Sequence, residues 1–127
     1  TYWWDWPTPG AEAGAPSLRR LLLEECRGDA AQIAAALEVE AVEAELRFRP
    51  ADWAELRAAS GPDLTFGVHS ASHRNLAVLD DASLRRELLE NAADIERELG
   101  VRPTAVAYPF GSWTPRVAQA AADAGLT

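Results

Sequence analysis

Two histidines, His69 and His73, make up the whole histidine supply of the 127 residues. They stand four apart in the run His69-Ser-Ala-Ser-His73. If that run turns helically, both imidazoles project from one side, as paired histidines do in helical zinc sites. Neutral imidazole is a good ligand for zinc and other late first-row divalent metals. A catalytic zinc usually takes three protein ligands and keeps a position for water. The third would be a carboxylate, because there is no other histidine and the single cysteine, Cys26, lies in an Ala/Leu/Glu helix with no base nearby. The structural alternative has one histidine hydrogen-bonded in the core and the other on the surface. A second candidate is Tyr108-Pro-Phe-Gly-Ser-Trp113. Backbone N–H groups exposed in its glycine turn could stabilise a developing oxyanion. Its bland reading is an ordinary turn whose aromatics cover the core.

Other reactive residues carry less. Ser70 and Ser72 flank the histidines, but no G-x-S-x-G elbow surrounds them. Their hydroxyls are expected to tie the loop backbone together. Asp29, Asp80 and Asp81 read as helix caps, and Asp63 precedes its strand, at the wrong end for chemistry. Asp5 is the carboxylate left to approach the site. The first sixteen residues, with Trp3, Trp4 and Trp6, read as an irregular segment that packs on the fold, or, more sharply, as a sugar-stacking platform.

The elements that must position these groups follow from periodicity. Ser17 can cap a helix over LRRLLLEEC that Gly28 ends, and Asp29 a second over AAQIAAALEVEAVEAELR, with Glu43/Arg47 and Glu45/Arg49 four apart. After Pro50, ADWAELRAA is a short helix with Trp53 and Leu56 on one side. The period then changes: LTFGV (64–68) reads as a strand and HSASHRNL as a loop. Asp80 and Asp81 cap a long helix in which Leu84, Leu88, Ala92, Ile95 and Leu99 recur at helical spacing, and Gly100 closes it. TAVAY (104–108) is the second strand and PFGS a turn. Thr114-Pro115 opens RVAQAAADA, which Gly125 closes, and Leu126-Thr127 begins a third strand. Strand and helix in alternation predict an α/β chain of parallel β/α units. In such folds ligands bind at the carboxyl ends of the strands. The two loops leaving those ends are 69–76, which holds both histidines, and 109–113.

Composition narrows the partners. A net charge of −8, from 12 arginines and no lysine against 20 acidic residues, argues against nucleic acid or an anionic membrane. No apolar run approaches the ~20 residues a membrane span needs, which argues against membrane insertion. One cysteine permits no internal disulfide, so the compartment stays open. The chain has no methionine and stops on Ala-Gly-Leu-Thr, and two strands alone cannot make a buried parallel sheet. The expectation is therefore a piece of a longer protein.

The two loops together resemble the polysaccharide deacetylase family, also called the NodB homology domain or carbohydrate esterase family four. From Phe66 to Leu126 the chain shows an H-[ST]-x-x-H motif (His69, Ser70, His73), a long following helix, and the A-Y-P-[YF]-G form of the family's third motif. Upstream, DWAELRAAS resembles the helix before the metal strand, and WWD with LRRLLLEE resembles an insertion found in some members. The resemblance implies a distorted (β/α) barrel of the NodB type, with residues 1–50 a helical insertion or cap and 51–127 a partial deacetylase domain. It implies hydrolysis of N-acetyl groups on a glycan, typically of N-acetylglucosamine, by a bacterial-type enzyme. A divalent metal, usually zinc, is held by two histidines and an aspartate, polarises the acetyl carbonyl and lowers the pKa of a bound water. A second aspartate serves as base and a histidine from a later strand as acid. By position His69 and His73 are the metal ligands and the Phe110 backbone N–H faces the oxyanion. Tyr108 and Trp113 are the candidate substrate contacts.

Three departures accompany the match. The Asp-Asp motif is absent, so base and third ligand are missing; the motif with the acid histidine is absent; and Ala107 stands where many members have an arginine. This chain alone is therefore expected to be inactive. Two rivals stand beside this reading: a non-catalytic module holding a glycan through Trp3, Trp4, Trp6 and Trp113, and a hydrolase of a small non-sugar amide, which uses the same constellation.

Overall fold

The computed structural model describes residues 16–38 and 49–127. The chain divides into two compact units, Thr1–Pro50 and Ala51–Thr127.

In the first unit, α1 (Pro16–Arg20) runs into a π-helical turn, Leu21–Glu25. The helix starts at Pro16, one residue before the expected cap Ser17, since proline's fixed φ and missing N–H suit the first turn. Arg27 and Gly28 then take left-handed conformations, and the Gly28 N–H donates to the Leu22 carbonyl. Helix α2 (Ala30–Leu37) is capped as expected by Asp29, which accepts from the Gln32 N–H at 3.0 Å. It ends at Leu37, where Glu38 turns left-handed, and the rest of the expected run, 39–47, lies outside the described residues. High helix propensity adds only tenths of a kcal/mol per residue, and the anchoring here is one buried side chain, Ile33, packed with Cys26. Burial and the nearby acids Glu25 and Asp29 raise the Cys26 thiol pKa, in keeping with an inert thiol. The pairs Glu43/Arg47 and Glu45/Arg49, apart from Arg49 itself, lie outside the described residues, as do Asp5, Trp3, Trp4 and Trp6.

The second unit opens with α3 (Trp53–Ala59), whose Asp52 and Glu55 form a reciprocal capping box. Helix α4 (Asp81–Leu99) has Asp80 as its N-cap, accepting from the Ser83 N–H at 2.8 Å, and that bond lowers the Asp80 pKa. Gly100 ends it at φ +69°, a conformation glycine adopts without strain. Helix α5 (Pro115–Asp123) begins with Thr114 as cap and proline in its first turn. Leu84, Leu88 and Ile95 of α4 meet Val117 and Ala121 of α5, with Val68, Leu76, Leu79 and Leu126, in one buried core. Arg116 secures this packing from outside. It donates to Asp81 at 2.6 Å and to the carbonyl of Leu79 at 2.7 Å, tying the start of α5 to the turn before α4.

The expected strands are reduced to their pairing points. Among the described residues no strand extends beyond a single parallel bridge, Val68 to Val106. The Val68 N–H donates to Ala105 and the Ala107 N–H returns to Val68, each at 2.8 Å. On the other side, the Thr127 N–H donates to Thr104 at 2.8 Å and the Val106 N–H to Thr127 at 3.3 Å. Three extended segments thus lie side by side and parallel, in the order 68, 106, 127. A parallel ladder gains regularity from neighbours on both edges, and among the described residues three segments leave both edges open. Gly67 sits where a Cβ would come within 3.2 Å of the Ala105 carbonyl oxygen, which allows the first two segments to approach. Among the described residues no helix is long and apolar enough to cross a membrane.

Candidate metal centre

The bridge at Val68 and Val106 sets the geometry of everything that follows it. One residue past Val68 comes His69, and one past Val106 comes Ala107, so the two loops leave the same edge together. The Ala107 carbonyl accepts from His69 Nδ1 at 2.9 Å. A carbonyl can only accept, so Nδ1 carries the hydrogen and the lone pair of the neutral ring lies on Nε2. A backbone carbonyl holding one ring nitrogen in this way is a common support for a metal-binding histidine.

The segment from 69 to 75 is a loop, as expected, and it does not take the helical turn that would align histidines four apart. The rings nevertheless meet, with centroids 4.8 Å apart at 68°. Backbone strain achieves what helical register would have done: Ser70 and His73 both have positive φ, +63° and +56°. Each such residue costs about 1–2 kcal/mol against an ordinary conformation. Phe110 is a third, at +60°, and its ring packs edge-on against His73 with centroids 4.8 Å apart. Of the five non-glycine residues at positive φ among those described, these three converge on one place. Strain of this kind gathers at functional sites, where surrounding contacts must over-determine the geometry.

Electrostatics suit a cation-binding pair. Burial, and secondarily the charge His69 would carry, push the His73 pKa below the ordinary 6.5, so its neutral form prevails at neutral pH. A neutral imidazole at 73 presents a lone pair, not a charge, to a cation. No third His, Cys, Asp or Glu joins them among the described residues.

The other expected residues divide. The Pro109–Gly111 segment forms a tight 3-10 turn, in which the Gly111 N–H donates to Tyr108 and the Ser112 N–H to Pro109. Tyr108 is half-buried against the core, whereas Trp113 is 61% exposed. The serines part company too. Ser72 ties the loop to α4 rather than to its own backbone, through Glu87. Ser70 is buried, and its Oγ has no hydrogen-bond partner among the described residues.

Sequence reasoning missed the residues beneath the loop. Glu87 and Asn91 lie on the stripe of α4 that also carries Leu84, Leu88 and Ile95, and Glu87 is only 6% exposed. Polar side chains at the i+3 and i+7 positions of an apolar stripe were the available signal, because burying them requires partners. Those partners are the amides of Ser72 and His69.

A model of the polysaccharide deacetylase family matches residues 29–127. The match starts inside α2's approach, at Asp29, and takes in the whole second unit. Among solved structures, the chain is similar to a Streptococcus pyogenes deacetylase, PplD, in complex with acetate, at 16% sequence identity and a TM-score of 0.57. The alignment covers 78% of this chain and 47% of that one, so the chain spans about half the length of the neighbour whose fold it shares. No curated protein matches the sequence.

Proposed function

Because the chain belongs to the polysaccharide deacetylase family, we propose that it carries part of the active site of a metal-dependent hydrolase that removes N-acetyl groups from a glycan. The observation that carries this reading is the meeting of the two loops. A histidine pair in a strained loop stands beside the strained turn of the family's third motif, one residue past a parallel bridge.

In this reading His69 and His73 hold a divalent ion, zinc in the family's usual case, with a carboxylate completing the set. When bound, such an ion polarises the acetyl carbonyl and makes water a stronger nucleophile at neutral pH. The chain's own residues do the rest of what can be assigned here. The Ala107 carbonyl keeps the proton of His69 on Nδ1, leaving Nε2 to bind. Phe110 buttresses His73 with its ring and offers its backbone N–H to the oxygen on which charge develops. Tyr108 and Trp113 line the approach of the sugar, the exposed indole suiting a pyranose face. Water adds to the acetyl carbon, the C–N bond breaks, and acetate and a free amine leave. The catalytic base and acid are assigned to strands beyond those paired here.

The segments at 68, 106 and 127 are read as one sector of a distorted (β/α) barrel. Residues 1–50 are read as a helical insertion or cap and 51–127 as the deacetylase part; the family match from residue 29 extends the family's pattern into that cap.

The test is acetate release from acetylated oligosaccharides by the full-length protein. Chelation is expected to abolish release and zinc to restore it. Release that persists after complete removal of metal would overturn the mechanism. Glycan binding without release, metal present, would favour the non-catalytic module, and release from small amides alone would move the substrate outside the sugars.

A further inference from the structure

Helix α4 brings two polar side chains to an otherwise apolar inward face, and both end on the backbone of the histidine loop. Glu87 accepts from the Ser72 N–H at 2.9 Å through one carboxylate oxygen and from the Ser72 hydroxyl at 2.6 Å through the other. One turn later, Asn91 Oδ1 accepts from the His69 N–H at 2.8 Å. Between them the Ala71 N–H reaches the Glu87 carbonyl at 3.1 Å. Three amides of the loop are therefore anchored to a single turn of helix.

This arrangement is unfavourable on packing grounds alone. Leucine at 87 would bury more apolar area at no desolvation cost, and a buried carboxylate is tolerated only where hydrogen bonds compensate it. What the polar pair supplies instead is direction. The loop must keep Ser70 and His73 in left-handed conformations while presenting two rings to one point. Fixing the amides on either side of Ser70 leaves the backbone little freedom to relax.

We propose that Glu87 and Asn91 are positioning residues, which hold the 69–73 loop in the shape that lets His69 and His73 share one metal ion. This rests on the metal reading above. Neither side chain touches the ion; each acts through the loop backbone.

The experiment measures Co(II) affinity, by its d–d absorption, and amide hydrogen exchange of the metal-free full-length protein. Glu87→Ala and Asn91→Ala are each expected to weaken Co(II) binding by roughly 10–100-fold, the range for outer partners of metal ligands. Exchange at His69 and Ser72 should accelerate in the same variants. Glu87→Gln should restore much of the affinity, since its oxygen can accept from the Ser72 N–H while its NH2 donates to the hydroxyl, turned to accept. Ile95→Ala is the control: it opens the core one turn beyond Asn91, where no bond to the loop occurs among the described residues, and should lose stability but keep Co(II) affinity in the folded protein. Alanine variants that bind Co(II) as tightly as the parent would overturn the assignment. So would an Ile95→Ala protein weakened to the same degree, because the effect would then be general loosening. A parent protein that binds no Co(II) would remove the metal reading itself; unchanged exchange at His69 and Ser72 in the alanine variants would separately refute the anchoring.

Discussion

Replacing His69 or His73 by alanine in the full-length protein is expected to remove its divalent metal and abolish acetate release. Second partners of metal ligands alone are worth about 10–100-fold in affinity, so losing one of three ligands should weaken binding by more than ~100-fold. Each deletion acts on a different support. His69 is held by the Ala107 carbonyl at 2.9 Å and by Asn91 through its backbone N–H. His73 is held by a left-handed backbone and the edge of Phe110. Neither ring belongs to the buried core, so both variants should fold, with thermal midpoints of the metal-free proteins close to the parent's. Elemental analysis after exhaustive dialysis reads the loss directly. Stoichiometric metal retained in both single variants would end the assignment of this pair. Protonation offers an independent check. Because the His73 pKa lies below 6.5, protons should compete for that ring only under more acidic conditions. NMR titration of its ring protons in the metal-free protein should therefore show its midpoint under pH 6.5.

Leu88→Ala should produce the largest loss of stability of any single truncation in α4. The side chain is fully buried, 0% exposed, and sits among Val68, Leu76 and Leu84 at the centre of the core. Truncating such a leucine costs about 2–5 kcal/mol, through lost transfer energy and an unfilled cavity. That is a large part of the ~5–15 kcal/mol that stabilises an ordinary domain. The consequence reaches the site, because Leu88 lies between Glu87 and Asn91 in the sequence of α4 and shares the buried core with the bridge residue Val68. Urea denaturation of parent and variant supplies the number. A loss under about 1 kcal/mol would mean that the core closes over the gap and that this helix is not its keystone.

How far the sequence could be read depended on whether a feature is local. The caps of α2, α4 and α5 were legible at Asp29, Asp80 and Thr114 because capping is a contact over three residues. Gly100 was legible as the end of α4 for the same reason. The inward stripe of α4 followed from helical period, and the parallel relation of 64–68 and 104–108 from the alternation of elements. The break after Leu37 was not legible: an alanine-rich run looks helical there, and Glu38 instead turns left-handed. Nor was the extent of the strands, since a ladder exists only where a neighbour supplies the other half of each hydrogen bond.

The same division runs through the site. Residue types and order placed His69 and His73 after an expected strand, named the aromatic turn at 109–113, and argued against serine and cysteine chemistry. Those inferences rest on composition and spacing, which are properties of the chain before it folds. How the two rings come together had to wait for the fold. Helical register does not do it; left-handed residues at 70 and 73 do, held by Glu87 and Asn91 from a helix fifteen to twenty-two residues downstream. The tautomer of His69 likewise depends on Ala107, thirty-eight positions away. Contacts at such separations are made by packing two β/α units against each other, and no local pattern encodes which carbonyl or carboxylate will arrive.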